Sequence, residues 1–122
     1  MKEVEIQLLI KDLCARLPYG VKCLVNFDDG TNDIMTLQTG LPNSYGTWSF
    51  CNENCSAYSD NFKPYLRPME TMTKEEHEEF FEKWGLDGWN IDTFDWLNAR
   101  QFDYRGLIPM GLALKASEDM YK

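Results

Sequence analysis

The side chains with the most versatile chemistry in this chain are four cysteines, Cys14, Cys23, Cys51 and Cys55, and a single histidine, His77. Cys51-Asn52-Glu53-Asn54-Cys55 has the C-x3-C spacing of half a zinc site, in which two thiolates share a tetrahedral metal. The other half has no matching pair. Cys14 falls in a helical pattern, Cys23 in a strand pattern, and His77 on an apolar helical face. An enzyme or metal-dependent protein built on Cys51, Cys55 and His77 is therefore the alternative reading. Free, buried thiols acting as small hydrophobes are the expectation, with neither metal nor cofactor.

Other catalytic patterns fail on their spacing. Asp28, Asp29, Asn32 and Asp33 have the composition of a calcium loop, but Gly30 comes too early and Thr39 stands where the bidentate Glu belongs. A turn accounts for them. His77-Glu78-Glu79-Phe80-Phe81 begins like the zinc-protease H-E-x-x-H, yet Phe81 replaces the second ligand. A lone imidazole without a motif-supported Ser or Cys gives no triad. The eight glycines are scattered, so no phosphate-cradling loop exists. The residues assign no catalytic position.

Charge is more informative. Twenty acidic and twelve basic side chains leave a net −8. Such a balance argues against gripping nucleic-acid phosphates, which takes clustered Lys and Arg. Between Glu70 and Asp95 stand nine acids and two bases, a net −7, so nearly the whole imbalance sits in one segment. A solvated helix face explains it most simply. The functional reading is an acidic docking surface for a basic protein partner, centred on Glu75, Glu78, Glu79, Glu82 and Asp87. In a special case the carboxylates imitate phosphates, making the chain a nucleic-acid mimic.

The elements that must carry these residues follow from periodicity. Residues 3–16 read as a helix whose buried face is Ile6, Leu9, Ile10, Leu13, Cys14 and Leu17, with Lys2, Glu3, Glu5, Lys11, Asp12 and Arg16 mostly opposite. Pro18-Tyr19-Gly20 stops it. Val21, Cys23, Val25 and Phe27 alternate with polar neighbours as in a half-buried strand, and the turn at 28–32 returns the chain through 34–39. Residues 47–51 alternate again, with Trp48 and Phe50 on one face. Residues 52–61 read as irregular. Residues 62–66 make a short strand that Pro64 assigns to a sheet edge or an extended segment.

The C-terminal half is helical. Thr73-Lys74-Glu75-Glu76 forms a capping box. His77, Phe80, Phe81 and Trp84 then share the face expected to point inward, leaving Glu75, Glu78, Glu79 and Glu82 in water, until Gly85. Asp92 caps a helix to about residue 101, with Ile91 and Trp96 as its hydrophobic staple. Asp103 caps a further turn over 104–108, and Leu112 and Leu114 read as a closing strand. The 122 residues, 43% hydrophobic and 14% aromatic, suit one globular unit. The expected fold is a single α+β domain over 1–122: an N-terminal helix, a small antiparallel sheet of three to four strands, and two C-terminal helices packed on it. No apolar run reaches the ~20 residues of a membrane span. The mixed charges of Met1-Lys2-Glu3-Val4-Glu5 are unlike a signal peptide, so a cytoplasmic location is expected.

Three phrases extend this reading: residues 13–21 (LCARLPYGV), residues 63–69 (KPYLRPM), and DWLN at 95–98 followed by FDYRGLIPMGLA at 102–113. Together they resemble a group of small uncharacterised proteins encoded by gut Bacteroidales and their phages, over most of the chain from Leu13 to about Ala116. The resemblance implies a cytoplasmic accessory protein of a mobile element. It carries over no catalytic or ligand residue.

Overall fold

The computed structural model describes residues 3–85 and 91–121. Helix α1 (Glu3–Arg16) opens the chain, ends in a short 3-10 turn over Leu17–Tyr19, and is closed by Gly20 at φ 73°. Five strands follow: β1 (Lys22–Asn26), β2 (Asn32–Leu37), β3 (Trp48–Cys51), β4 (Ser56–Ser59) and β5 (Phe62–Leu66). Helices α2 (Lys74–Trp84) and α3 (Ile91–Ala99) come next, and the two-residue strand β6 (Leu114–Lys115) closes the fold. The strands form one sheet in the order β4-β3-β2-β1-β5-β6, antiparallel throughout except for the parallel β5–β6 pair. The architecture is α+β, as the residue pattern indicates, with six strands where three to four were expected. No described helix is long and apolar enough to cross a membrane.

Alternation in the strands produces the main core. Val21, Cys23 and Val25, then Met35 and Leu37, Trp48 and Phe50, and Phe62 and Leu66 share the covered face of the sheet. Leu9 and Leu13 of α1 and Leu107, Leu112 and Ala113 from the C-terminal segment cover it. Phe62 packs edge-on against Trp48 (5.1 Å) and Phe50 (4.9 Å). A second cluster, Met72, Trp96, Leu97 and Phe102 with Phe80 against it, joins the two C-terminal helices to the segment after them. Tyr121 straps the C-terminus across two strands. Its hydroxyl accepts from the Lys22 amide at 2.9 Å and donates to the Tyr65 carbonyl at 2.6 Å. Burial pushes that phenol above its ordinary pKa, which keeps the donor in place.

Several expectations are corrected. Residues 52–61 contain strand β4, because Asn52 makes a turn: its side-chain oxygen accepts from the Asn54 and Cys55 amides at 2.8 and 2.9 Å. The strand period is hidden because polar Ser59 is on the buried side while the aromatic Tyr58 is on the open one. Strand β5 is internal rather than at an edge. Pro64 faces Cys23 of β1, and the parallel ladder to β6 begins only at Tyr65, so the missing N–H is tolerated. Asp92 lies inside α3 rather than capping it, and Ile91 is 77% exposed, so the expected staple does not form. Asp103 does hold the segment after it, as expected, accepting from the Leu107 and Ile108 amides at 2.8 and 2.9 Å. Of the thiols expected to be buried, only Cys23 is; Cys14 and Cys55 are exposed and Cys51 is intermediate.

The largest correction lies in α1. Asp12 and Arg16, expected on the solvent side, are both 0% exposed. Arg16 donates to Asp12 through Nε at 2.7 Å and Nη2 at 3.1 Å, and through Nη2 to the Phe102 carbonyl. Arg105 adds a contact to Asp12 at 3.1 Å. A buried ion pair costs heavily when one partner is removed and little when both are replaced by apolar groups. Asp12→Ala is therefore expected to lose about 3–5 kcal/mol, while Asp12→Leu with Arg16→Met recovers much of that loss. Urea midpoints of the three proteins check this. A near-wild-type midpoint for Asp12→Ala would show that the pair carries no structural weight.

Candidate functional site

The acidic segment folds into α2 and its flanks, and the geometry sorts its carboxylates into two sets. The capping box forms as the sequence indicates: the Thr73 hydroxyl accepts from the Glu76 amide at 3.1 Å, and the Glu76 carboxylate accepts from the Thr73 amide at 3.0 Å. Glu76 does more than cap. Arg67, just beyond β5, grips both its oxygens with Nη1 at 2.8 Å and Nη2 at 2.6 Å. These hydrogen bonds hold the Glu76 carboxyl below the ordinary carboxylate range. One turn on, Glu79 accepts from the Trp96 indole at 3.0 Å and from Arg100 Nη2 at 2.8 Å.

These pairs decide which way α2 faces. The residues of α2 half-buried against the rest of the protein are Glu76, Phe80 and Trp84; Glu79 reaches Trp96 and Arg100 beside them, and the Lys83 carbonyl accepts from the Thr93 hydroxyl at 3.2 Å. The apolar reading placed His77, Phe80, Phe81 and Trp84 inward; Glu76 takes the place of His77 and Phe81, so the helix is rotated by less than one residue position. Phe80 and Trp84 remain half-buried, with rings 5.9 Å apart. His77 and Phe81 are instead exposed, Phe81 to 68%, and their rings stack at 6.4 Å. Glu75, Glu78 and Glu82 are exposed beside them, as expected. Glu79 is exposed as well, as expected, although Trp96 and Arg100 hold its carboxylate. Asp87 lies outside the described residues.

On the inner side of the same helix lies a cleft of about 580 Å³, between the end of β5, the start of α2, the end of α3 and the segment from β6 onward. Arg67, Arg100 and Lys115 bring positive charge to it, Glu76 and Glu118 negative charge, and Tyr121 forms part of its wall. Arg67 lies 4.2 Å from the Phe102 ring centroid and Arg100 4.4 Å from that of Trp96, and the two rings stack on each other at 5.8 Å. Nothing in the sequence flagged this cleft. Its three cations stand at positions 67, 100 and 115, with no shared motif or period.

Of the other sequence candidates, Cys51 and Cys55 flank one tight turn and His77 lies on a different element. Cys51 sits in β3, Cys55 in the turn to β4 and His77 on α2. Among the described residues, no three His, Cys, Asp or Glu side chains come together in a group that could hold a metal ion. Burial pushes the Cys23 thiol well above its usual pKa, which disfavours the nucleophilic thiolate. Asp29 binds the Thr31 amide and hydroxyl at 2.9 and 2.6 Å, so the Asp-rich stretch is a hairpin turn. Compared with known proteins, the chain matches no family model, and no curated protein or solved structure is detectably similar to it.

The lowered Glu76 pKa sets a pH dependence. A carboxyl whose folded pKa lies below its unfolded value contributes stability in full above the unfolded value, near 4.5, and loses it as pH falls through the folded value. Wild type is expected to exceed Glu76→Gln by about 1–2 kcal/mol at neutral pH, given that the pair is only partly screened. The gap should narrow progressively below about pH 4.5. Urea midpoints of both proteins from pH 3 to 7 measure it; a gap that does not change with pH would contradict the ion-pair assignment.

Proposed function

We propose that this chain is a non-enzymatic, cytoplasmic accessory protein that docks a basic protein partner through the outer face of α2. The observation that carries the reading is Phe81, 68% exposed in the middle of exposed Glu75, Glu78 and Glu82, with the His77 ring stacked on it. A merely solvated acidic face has no need of a large aromatic there. An aromatic anchor ringed by charge is the usual make-up of a binding hot spot. The carboxylates supply steering, and Phe81 supplies apolar area that becomes buried on contact. The partner's surface on this reading is a Lys- or Arg-rich segment with an apolar pocket. The cytoplasmic setting rests on the resemblance to the Bacteroidales group.

Because Phe81 is exposed, Phe81→Ala is expected to change stability by no more than ~0.5 kcal/mol. Replacing Glu75, Glu78 and Glu82 with Gln keeps size and helix propensity, and relieves like-charge repulsion along the helix. Affinity purification from the native host with wild-type bait identifies partners, and surface plasmon resonance on the purified pair measures them. Phe81→Ala should weaken binding by about tenfold or more, mostly through a faster off-rate. The triple Gln variant should slow the on-rate and flatten its salt dependence. Competition by duplex DNA for the same partner would identify the acidic face as a phosphate mimic. Folded variants that hold the partner with wild-type kinetics would end the docking reading.

A further inference from the structure

We propose that the cleft between β5, α2, α3 and β6 binds a small organic phosphate monoester, a function separate from the outer face of α2. Its charge is the reverse of the protein's. The chain carries −8 overall, yet three of its twelve cations, Arg67, Arg100 and Lys115, converge on one concavity of about 580 Å³. That volume lies within the range of small-molecule sites. Of the two acids present, Glu76 is spent: both oxygens are gripped by Arg67, and one also accepts from the Thr73 amide. Arg67 and Glu76 offset each other, as do Arg100 and Glu79, which leaves Lys115 and Glu118 as the charges at the cleft without such a partner among the described residues. Arg100 is shared with Glu79 at 2.8 Å, and Lys115 is exposed at the cleft with no carboxylate within ion-pair distance among the described residues.

The form of the free donors selects the ligand. A planar carboxylate is matched by an open guanidinium fork, which donates two parallel hydrogen bonds. Here the Arg67 fork is closed on Glu76, and Arg100 is engaged on Glu79 with its Nε 3.9 Å from Glu76. What remains are separate donors: the Lys115 ammonium, the unused Arg100 N–H groups, and the hydroxyls of Ser117 and Thr73. The Thr73 oxygen accepts from the Glu76 amide, so its hydrogen stays available, whereas Thr71 has already donated to the Pro68 carbonyl. Separate donors around a compact point charge suit the three oxygens of a phosphate dianion better than a flat carboxylate. Both arginines are also pre-positioned, each held by a carboxylate at its edge and an aromatic ring at its face, so little ordering remains on binding. Ala99, Ala116 and Tyr121 line the same cleft and provide contact for an organic group.

Phenyl phosphate is the probe, with inorganic phosphate and benzoate as comparisons, in ¹⁵N-HSQC titrations of the full chain at low salt. Saturable shifts are expected at Arg100 and across residues 115–118, with phenyl phosphate at least about threefold tighter than either comparison. Lys115→Met, at an exposed position, should weaken phenyl phosphate by about tenfold without moving the urea midpoint, and Ser117→Ala should weaken it less. Lys63→Met, a change of equal charge on an exposed strand position that does not line the cleft, should leave affinity unchanged. The proposal is overturned by the absence of saturable shifts, by Lys115→Met binding as wild type, or by Lys63→Met weakening binding equally. It is also overturned if benzoate or inorganic phosphate binds as tightly as phenyl phosphate.

Discussion

The Asp12–Arg16 pair, fully buried on α1, is the contact on which the arrangement of this protein depends. Its two residues are four apart on one helix, so the pair itself could form in an isolated helix. What makes it structural is the third partner. Arg16 reaches the carbonyl of Phe102, and Phe102 belongs to the aromatic cluster that α2 and α3 share. One guanidinium thus joins the core under the sheet to the cluster at its end. Arg105 donates to the same carboxylate, and both arginines lie about 5 Å from the Tyr104 ring. Charges removed from water must be satisfied nearly completely, and few alternative packings offer Asp12 and Arg16 these partners.

From Phe102 the same principle continues outward. The Phe102 and Trp96 rings stack, each faces a guanidinium, and those guanidiniums hold Glu76 and Glu79 on α2. The orientation of α2 is therefore set by electrostatics on an aromatic platform rather than by its apolar stripe. Burying the Phe80–Phe81–Trp84 face would have covered more hydrocarbon. It would also have left Arg67 and Arg100 without carboxylates beside two rings.

The rotation gives α2 two different sides. Carboxylates on the inner stripe are paired with arginines, whose remaining N–H groups line the adjoining cleft together with Lys115. Carboxylates on the outer stripe stay free around Phe81. One short acidic helix in this way separates a cleft lined by both signs of charge from an outer face of free carboxylates. Both surfaces rest on elements fixed by the same ion pairs, which gives them the rigidity a binding site needs.

Local signals were strong enough to read most of the elements directly from the residues. The α1 boundaries, the β1–β2 hairpin and its Asp-Gly turn, strand β3, the Thr73–Glu76 capping box and the Gly85 stop all depend on neighbours a few positions apart. Their physics is complete within a short window of chain. The α+β class follows from the same periods. What the residues alone could not decide was the destination of polar side chains. Asp12 and Arg16 look like a solvent-facing pair until Phe102 and Arg105, about ninety residues away, close around them. Glu79 is indistinguishable from Glu75 and Glu78 until Trp96 and Arg100 arrive from another element, and the capping box does not show that Glu76 also holds Arg67. Strand β4 and the internal position of Pro64 likewise depend on which neighbours pair with them. Apolar periodicity reports how much surface a segment must bury, but long-range charge pairing determines which charged groups can be buried with it, and only the tertiary structure brings those partners together.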